Sequence, residues 1–292
     1  MSMKPIVSHL WFDTQAKEAA LFYCSLFPDS KVDGTTVIKD TPSGDCDFVN
    51  FTLAGVPFSA ISAGPYFRLN PSISLTVTYE DEAKIRALWE LLIAGGNELM
   101  PLQAYEFSPC FGWLADRYGV NWQLLTGAEH PDQRIMPSLL FSGAHAGLAR
   151  EAMEYYVSVF EDAAVTTVIP YAPDEAQSEK ARIQYAQFRI RGTKFVAMDH
   201  GMDVDYTFNE AFSFVVPCHD QAEIDYFWAK LSHVPEAEQC GWCKDRFGVS
   251  WQIIPSDLEE VLFGGSEAEK ARVTAAFLKM KKFDLETLAM AR

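Results

Sequence analysis

Residues 112–125, Gly-Trp-Leu-Ala-Asp-Arg-Tyr-Gly-Val-Asn-Trp-Gln-Leu-Leu, return at residues 241–254 as Gly-Trp-Cys-Lys-Asp-Arg-Phe-Gly-Val-Ser-Trp-Gln-Ile-Ile. Most positions are identical and most others exchange like for like, a density that chance does not produce. An internal repeat constrains a fold more than local propensity does, because both copies must build the same unit. The repeat extends upstream. Ala16, Ala20, Tyr23 and Phe27 fall on one helical face, and Ala149, Met153, Tyr156 and Phe160 reproduce that stripe. A second helical stripe, Ile85, Leu88, Trp89 and Leu92, is matched by Ile224, Phe227, Trp228 and Leu231. Acidic residues open both of these helices (Glu80, Asp81, Glu82; Asp220, Glu223), where the helix dipole favours negative charge. Gly95-Gly96 closes the first of them.

Short β-type runs separate the helices: residues 6–12, 31–38, 48–53, 56–61, 73–78 and 120–125, then 182–190, 193–198 and 211–216. Ala54-Gly55 and Arg191-Gly192 read as hairpin turns. Each half is predicted as strand–helix–strand–strand–strand followed by a similar unit, an α+β fold. The expected domains are residues 1–127 and 135–255, divided by a Gly-, Pro- and charge-rich stretch at residues 127–135. Residues 256–292 depart from the repeat. They read as a tail of helices over 257–263, 267–280 and 285–290, broken at Gly264-Gly265 and Phe283-Asp284.

Composition narrows the function classes. Hydrophobic residues make up 49% and aromatics 13%, enough for two cores. A formal net charge of -16 repels phosphate backbones, and the one basic run, Lys279, Lys281 and Lys282, lies in the tail. Nucleic acid and membrane surfaces are therefore not expected partners. No stretch approaches the roughly 18–20 apolar residues of a membrane span, and residues 1–5 lack the apolar run of a signal peptide. The six cysteines show no disulfide-scaffold spacing, so reduced thiols in the cytoplasm are expected. Neither a dinucleotide glycine turn, a P-loop nor a Gly-x-Ser-x-Gly elbow is present.

With these residues laid out, the chain resembles the PhnB-like branch of the vicinal oxygen chelate superfamily, which contains glyoxalases, extradiol dioxygenases and bleomycin-resistance proteins. The segments that carry the resemblance run from Ala16 to Phe27, from Glu151 to Tyr156 and from Phe208 to Ser213. Both Gly-Trp…Asp-Arg…Gly-Val…Trp-Gln motifs and the tail segments Ser256-Asp-Leu-Glu-Glu and 278–284 add to it. The resemblance implies that each half holds paired βαβββ modules, curled into a cup-shaped mixed sheet with helices on the convex face and a pocket in the concave one. The residues concur: Ser72-Ile-Ser74-Leu-Thr76-Val alternates polar and apolar. By the same alternation Val120, Trp122 and Leu124 face the helices, while Asn121, Gln123 and Leu125 face the cavity.

In metal-using relatives the ligands come from the first, fourth, fifth and eighth strands. The resemblance sets Gln123 and Gln252 at the eighth-strand position and Ser72 and Ala211 at the fifth. It sets Val7 or His9, against Met136 or Ser138, at the first, and Ser62 and Asp199, with His200 beside it, at the fourth. That departs from the metal pattern, since a catalytic divalent ion takes at least three good donors. The metal-ligand candidates are His9 and Gln123, and a divalent ion is the cofactor the resemblance admits. The expected pocket lining is His9, Ser62, Ser72, Ser74, Gln123, Ser138, Asp199, His200, Ser213 and Gln252.

Three functions stand side by side. One is an enzyme of lyase, isomerase or dioxygenase type that polarises adjacent oxygens with a metal. Another is a metal-free binder of an apolar or aromatic compound. In the third, one half keeps a pocket and its twin is a structural partner. Plainer readings weigh against individual residues. His9 suits a hydrogen-bonded structural role, Cys240-Gly-Trp-Cys243 has no second CxxC beside it, and Asp116-Arg117 and Asp245-Arg246 suit turn-holding. Trp113, Trp122, Trp242 and Trp251 are expected in the core, and Tyr66, Phe67, Tyr105 and Phe107 in loops at the first pocket's rim. The expected partners are a small molecule and the other half of the chain, with a homodimer left open.

Overall fold

A computed structural model describes residues 4–41, 43–127 and 133–292. The expected divider between the repeats falls largely on residues 128–132, outside the described residues. In chain order the first repeat forms β1 (Val7–Phe12), α1 (Ala16–Leu26), β2 (Lys31–Thr41), β3 (Gly44–Leu53), β4 (Val56–Ser62), β5 (Ile73–Tyr79), α2 (Glu82–Ile93), β6 (Asn97–Tyr105), β7 (Ser108–Ala115) and β8 (Asn121–Thr126). The second forms β9 (Ile135–Phe141), α3 (Ala149–Val159), β10 (Ala164–Pro170), β11 (Ile183–Ile190), β12 (Thr193–Asp199), β13 (Phe212–Cys218), α4 (Gln221–Leu231), β14 (Trp242–Lys244) and β15 (Ser250–Pro255). The tail adds α5 (Leu258–Phe263), α6 (Glu267–Phe277) and α7 (Leu285–Ala291). Both expected hairpin turns are present, with positive φ at Ala54, Gly55, Arg191 and Gly192, as a type I′ turn requires.

The strands form two mixed sheets, ordered β14-β15-β13-β1-β4-β3-β2 and β10-β11-β12-β9-β5-β8-β7-β6. Here the structure departs from the expected pairing of modules within a half. Each sheet takes one module from each half. The seams are antiparallel: β1 lies on β13, with His9 opposite Ser213, and β5 lies on β9, with Ser74 opposite Ser138.

The reason lies in how the two modules of one half meet. Tyr23, on α1 over the first sheet, donates its hydroxyl to Asp116 at 2.7 Å, in the turn before β8 of the second sheet. Its ring and that of Phe27 pack on Trp122 at 5.3 and 5.8 Å. Modules held together through their helical faces cannot also pair edge to edge, so β1 and β5 find their edge partners in the other half. The crossovers between sheets are tied reciprocally. Asn70 Nδ2 donates to Thr207 O and Asn209 Nδ2 to Arg68 O, both at 2.9 Å.

One apolar core results. Helices α1 and α4 cover the convex face of the first sheet, and α2 and α3 that of the second. Asp116 also accepts from Trp122 Nε1 (2.9 Å) and from the amides of Tyr118 and Val120. Asp245 repeats the set with Tyr156 (2.7 Å), Trp251 Nε1 (2.8 Å), Phe247 and Val249. Burial pushes both carboxyls above the usual range, and the hydrogen bonds oppose it. Among the described residues no helix is long and apolar enough to cross a membrane.

The tail does not hang free. Cys240 N donates to Met280 O at 2.8 Å and Gly241 N to Lys281 O at 2.7 Å. Gly241 has φ +84°, and a Cβ there would sit 2.5 Å from the ring of Phe283, so only glycine lets the tail pass.

Candidate functional site

Strand periodicity decides what each concave face shows. On β1, Leu10 and Phe12 enter the core, so His9 and Trp11 point the other way. His9 Nδ1 lies 2.8 Å from Ser59 Oγ on β4. Its ring stacks on Phe48 at 5.9 Å and meets Trp242 edge-on at 5.4 Å. Its Nε2 is buried without a hydrogen-bond partner. Burial lowers the imidazole to about 3, so His9 is neutral at physiological pH. Gln252, on the same face, donates to Ser213 Oγ at 3.0 Å. His9, Phe48, Trp242 and Gln252 border a cavity of about 80 Å³, roofed by Leu258, Leu262 and Phe277 of the tail.

The second sheet repeats part of this pattern. Gln123 Nε2 donates to Ser74 Oγ at 2.9 Å, and Thr76 Oγ1 lies 2.5 Å from Ser138 Oγ. Ser138 stands where the first sheet has His9. The cavity here is about 420 Å³, lined by Met100, Trp113, Leu140, Met198, His200 and Tyr206 among others. Met202 at its margin is 52% exposed, so the space opens to solvent. Trp113 Nε1 is buried without a partner. His200 Nδ1 accepts from Met202 N at 3.0 Å, and burial lowers its pKa. Burial pushes the Tyr206 hydroxyl up to about 12.

Several expectations change against this geometry. His9 and Gln123 lie in different sheets and cannot share a metal ion, because the modules pair across halves. The eighth-strand residue beside His9 is Gln252. Ser62 and Asp199 serve helix starts. Ser62 Oγ accepts from Ala16 N at 3.0 Å, and Asp199 accepts from Ala149 N (3.0 Å), Arg182 N (2.9 Å) and Ile183 N (2.9 Å). Asp199 thus borders the larger cavity with its carboxylate already committed. Ser72 is buried at the start of β5, its amide on Asn70 Oδ1 and its carbonyl on Leu140 N.

Trp122 and Trp251 are core residues, as expected, but Trp113 and Trp242 line the two cavities. Trp113 stands on β7 opposite Gln123. Phe67 packs on Trp11 at 5.1 Å in the first cup, whereas Tyr105 and Phe107 belong to the second sheet, beside Phe111. Burial raises the thiols of Cys240 and Cys243, the reverse of a reactive thiolate.

The donors do not fit a catalytic divalent ion. In the first cup one imidazole nitrogen faces a side-chain amide and hydroxyls, and in the second the carboxylate of Asp199 is taken by three amides. Among the described residues no group of three or more His, Cys, Asp or Glu is placed to hold a metal.

The comparisons with known proteins agree with the fold. The 3-demethylubiquinone-9 3-methyltransferase family matches twice, over residues 4–125 and 133–254. A PhnB protein from Bacillus cereus is 36% identical over 41% of this chain and 98% of its own, with a TM-score of 0.39. Glyoxalase I from Zea mays is 9% identical, covers 87% of this chain and 95% of its own, and superposes with a TM-score of 0.54, a likeness of fold. No curated protein matches the chain. The chain belongs to the 3-demethylubiquinone-9 3-methyltransferase family, as a tandem member matched once in each half.

Proposed function

We propose that the open cup of the second sheet binds a small, uncharged, largely apolar molecule bearing a hydrogen-bond acceptor, without a metal ion. The observation that carries this reading is the cavity of about 420 Å³ walled by Met100, Leu140, Met198 and Tyr206, with Trp113 Nε1 as a buried donor. Its size falls within the roughly 300–1,000 Å³ of small-molecule sites. Methionine walls adapt to irregular ligands. An unpaired buried N–H costs about 1–3 kcal/mol, which a ligand acceptor recovers. Neither Asp199 nor His200 in that wall is offered to an ionic ligand, since three backbone amides engage the Asp199 carboxylate and burial holds His200 toward its neutral form.

The methyl-transfer activity in the family's description finds no support in the chain's motifs, which include no glycine-rich strand-to-helix turn for a nucleotide methyl donor. All six cysteines are free thiols, which suits a reducing compartment such as the cytoplasm.

Titration with 1-acetonaphthone in chelator-treated buffer, read by tryptophan fluorescence, tests the reading. Saturable quenching is expected, with affinity about tenfold weaker in Trp113→Phe, the value of roughly one hydrogen bond. Absence of saturable binding, or binding that appears only with added divalent ion, would defeat it.

A further inference from the structure

The roof of the smaller cavity is a segment fixed at both ends. Ser256 N donates to Cys218 O at 2.7 Å before it, and Cys240 and Gly241 hold Met280 and Lys281 after it. Between these anchors residues 257–278 reach the cup through the side chains of Leu258, Leu262 and Phe277, and through a hydrogen bond from Asn50 Nδ2 to Glu259. Gly264-Gly265 separates α5 from α6, with φ +87° at Gly265, a conformation that glycine allows freely. Helix α7 braces the segment, Arg292 donating to Glu260 O at 2.6 Å.

The floor has the features of a binding site. His9 borders the cavity, is 1% exposed, and its Nε2 is buried without a partner. Leaving such a nitrogen unpaired costs about 1–3 kcal/mol. The contact of Nδ1 with Ser59 Oγ suits either tautomer, so Nε2 either donates or accepts. A hydroxyl satisfies both cases. Phe48 and Trp242 supply a stacking face and an edge around the imidazole, the surroundings an aromatic ring takes. The space of about 80 Å³ exceeds the roughly 30 Å³ share of one water but is smaller than the roughly 150 Å³ that houses a benzene ring. A ring fits only if Leu262 or Phe277 withdraws.

We propose that the first cup is a second binding site, for a neutral aromatic compound carrying one hydroxyl, and that residues 257–278 are its lid. In the closed form Leu262 and Phe277 fill the space the ring takes when the lid opens. This site is separate from the open cup and does not rest on the reading given for it.

The test uses the full-length protein with ¹⁵N-labelled histidine and p-cresol as the probe. His9 resonances are assigned from the spectrum of His9→Phe. The expected result is a saturable shift of His9 Nε2, with binding about fivefold tighter in Phe277→Ala, and toluene binding about fivefold more weakly than p-cresol. Two outcomes overturn the proposal: His9 resonances that stay unmoved in both the native protein and the folded Phe277→Ala variant, or toluene that binds as well as p-cresol. Binding at the open cup moves His200 instead of His9, so failure there reads out separately.

Discussion

On the first sheet the concave face meets the tail, and on the second it meets solvent, although both floors come from the same repeat. The pairs Gln252–Ser213 and Gln123–Ser74 are nearly superposable in kind, at 3.0 and 2.9 Å. They therefore do not set what a cup does. The difference comes from positions that the duplication left unlike: His9 against Ser138, Ser59 against Val196, and one tail for two cups. A tandem chain can specialise in this way, whereas a symmetric pair of single-repeat chains would carry two tails or none. Module exchange adds a second lesson, because each cup draws residues from both halves and substitutions within one half can reach either cup.

The largest expected effects fall on what the halves share. Asp116→Ala and Asp245→Ala each strand a tyrosine, a tryptophan and two amides, and each should cost at least about 3 kcal/mol in urea unfolding. The two losses should agree within about 1 kcal/mol; a wide gap would break the equivalence of the halves.

Acid should then separate the cups. The folded pKa of His9, about 3, lies below its unfolded value near 6.5, so the unfolded chain takes up a proton first. Its contribution is fully present above pH 6.5 and is lost as pH falls toward 3, at about 1.4 kcal/mol per unit. Stability of the native protein relative to His9→Phe should drop by roughly 3 kcal/mol between pH 6.5 and pH 4, measured by denaturant midpoints. A flat difference would mean that the histidine is solvated.

Phe277→Ala should cost about 2–4 kcal/mol and raise the His9 pKa toward its ordinary range, by admitting water to the closed cup. Met198→Ala, on the half-buried wall of the open cup, should cost less than half as much. Equal costs would show that the tail contributes no more than surface packing. Smallest of all, Gln252→Ala and Gln123→Ala should each remove about 1 kcal/mol, indistinguishably, because each deletes one bond to a serine.

Much of this was legible in the sequence because the repeat is. Helices α1 to α4 and both Ala/Arg-Gly hairpins follow from apolar spacing and turn chemistry. Strands β6 and β10 escaped because they are edge strands whose side chains largely meet solvent, which dilutes alternation. Cross-half pairing escaped for a different reason. Local pattern specifies which face of β1 is apolar, but its neighbour along the sheet is chosen by contacts remote in sequence, such as Tyr23 with Asp116. That one fact moved Gln123 away from His9 and brought Gln252 to it. The pairing of Gln252 with Ser213 and of Gln123 with Ser74 on one sheet face follows from period two, whereas the capping roles of Ser62 and Asp199 were not readable, since a strand's last residue sits where the chain turns to the helix.

The claim that one cup is roofed by its own tail while the other is open meets its most direct test in a pH titration of the histidine ring nitrogens by ¹⁵N NMR. The account predicts that His9 stays neutral until about pH 3, while His200, at the open cup, takes up its proton at clearly higher pH. A His9 that titrates near 6.5 would contradict it.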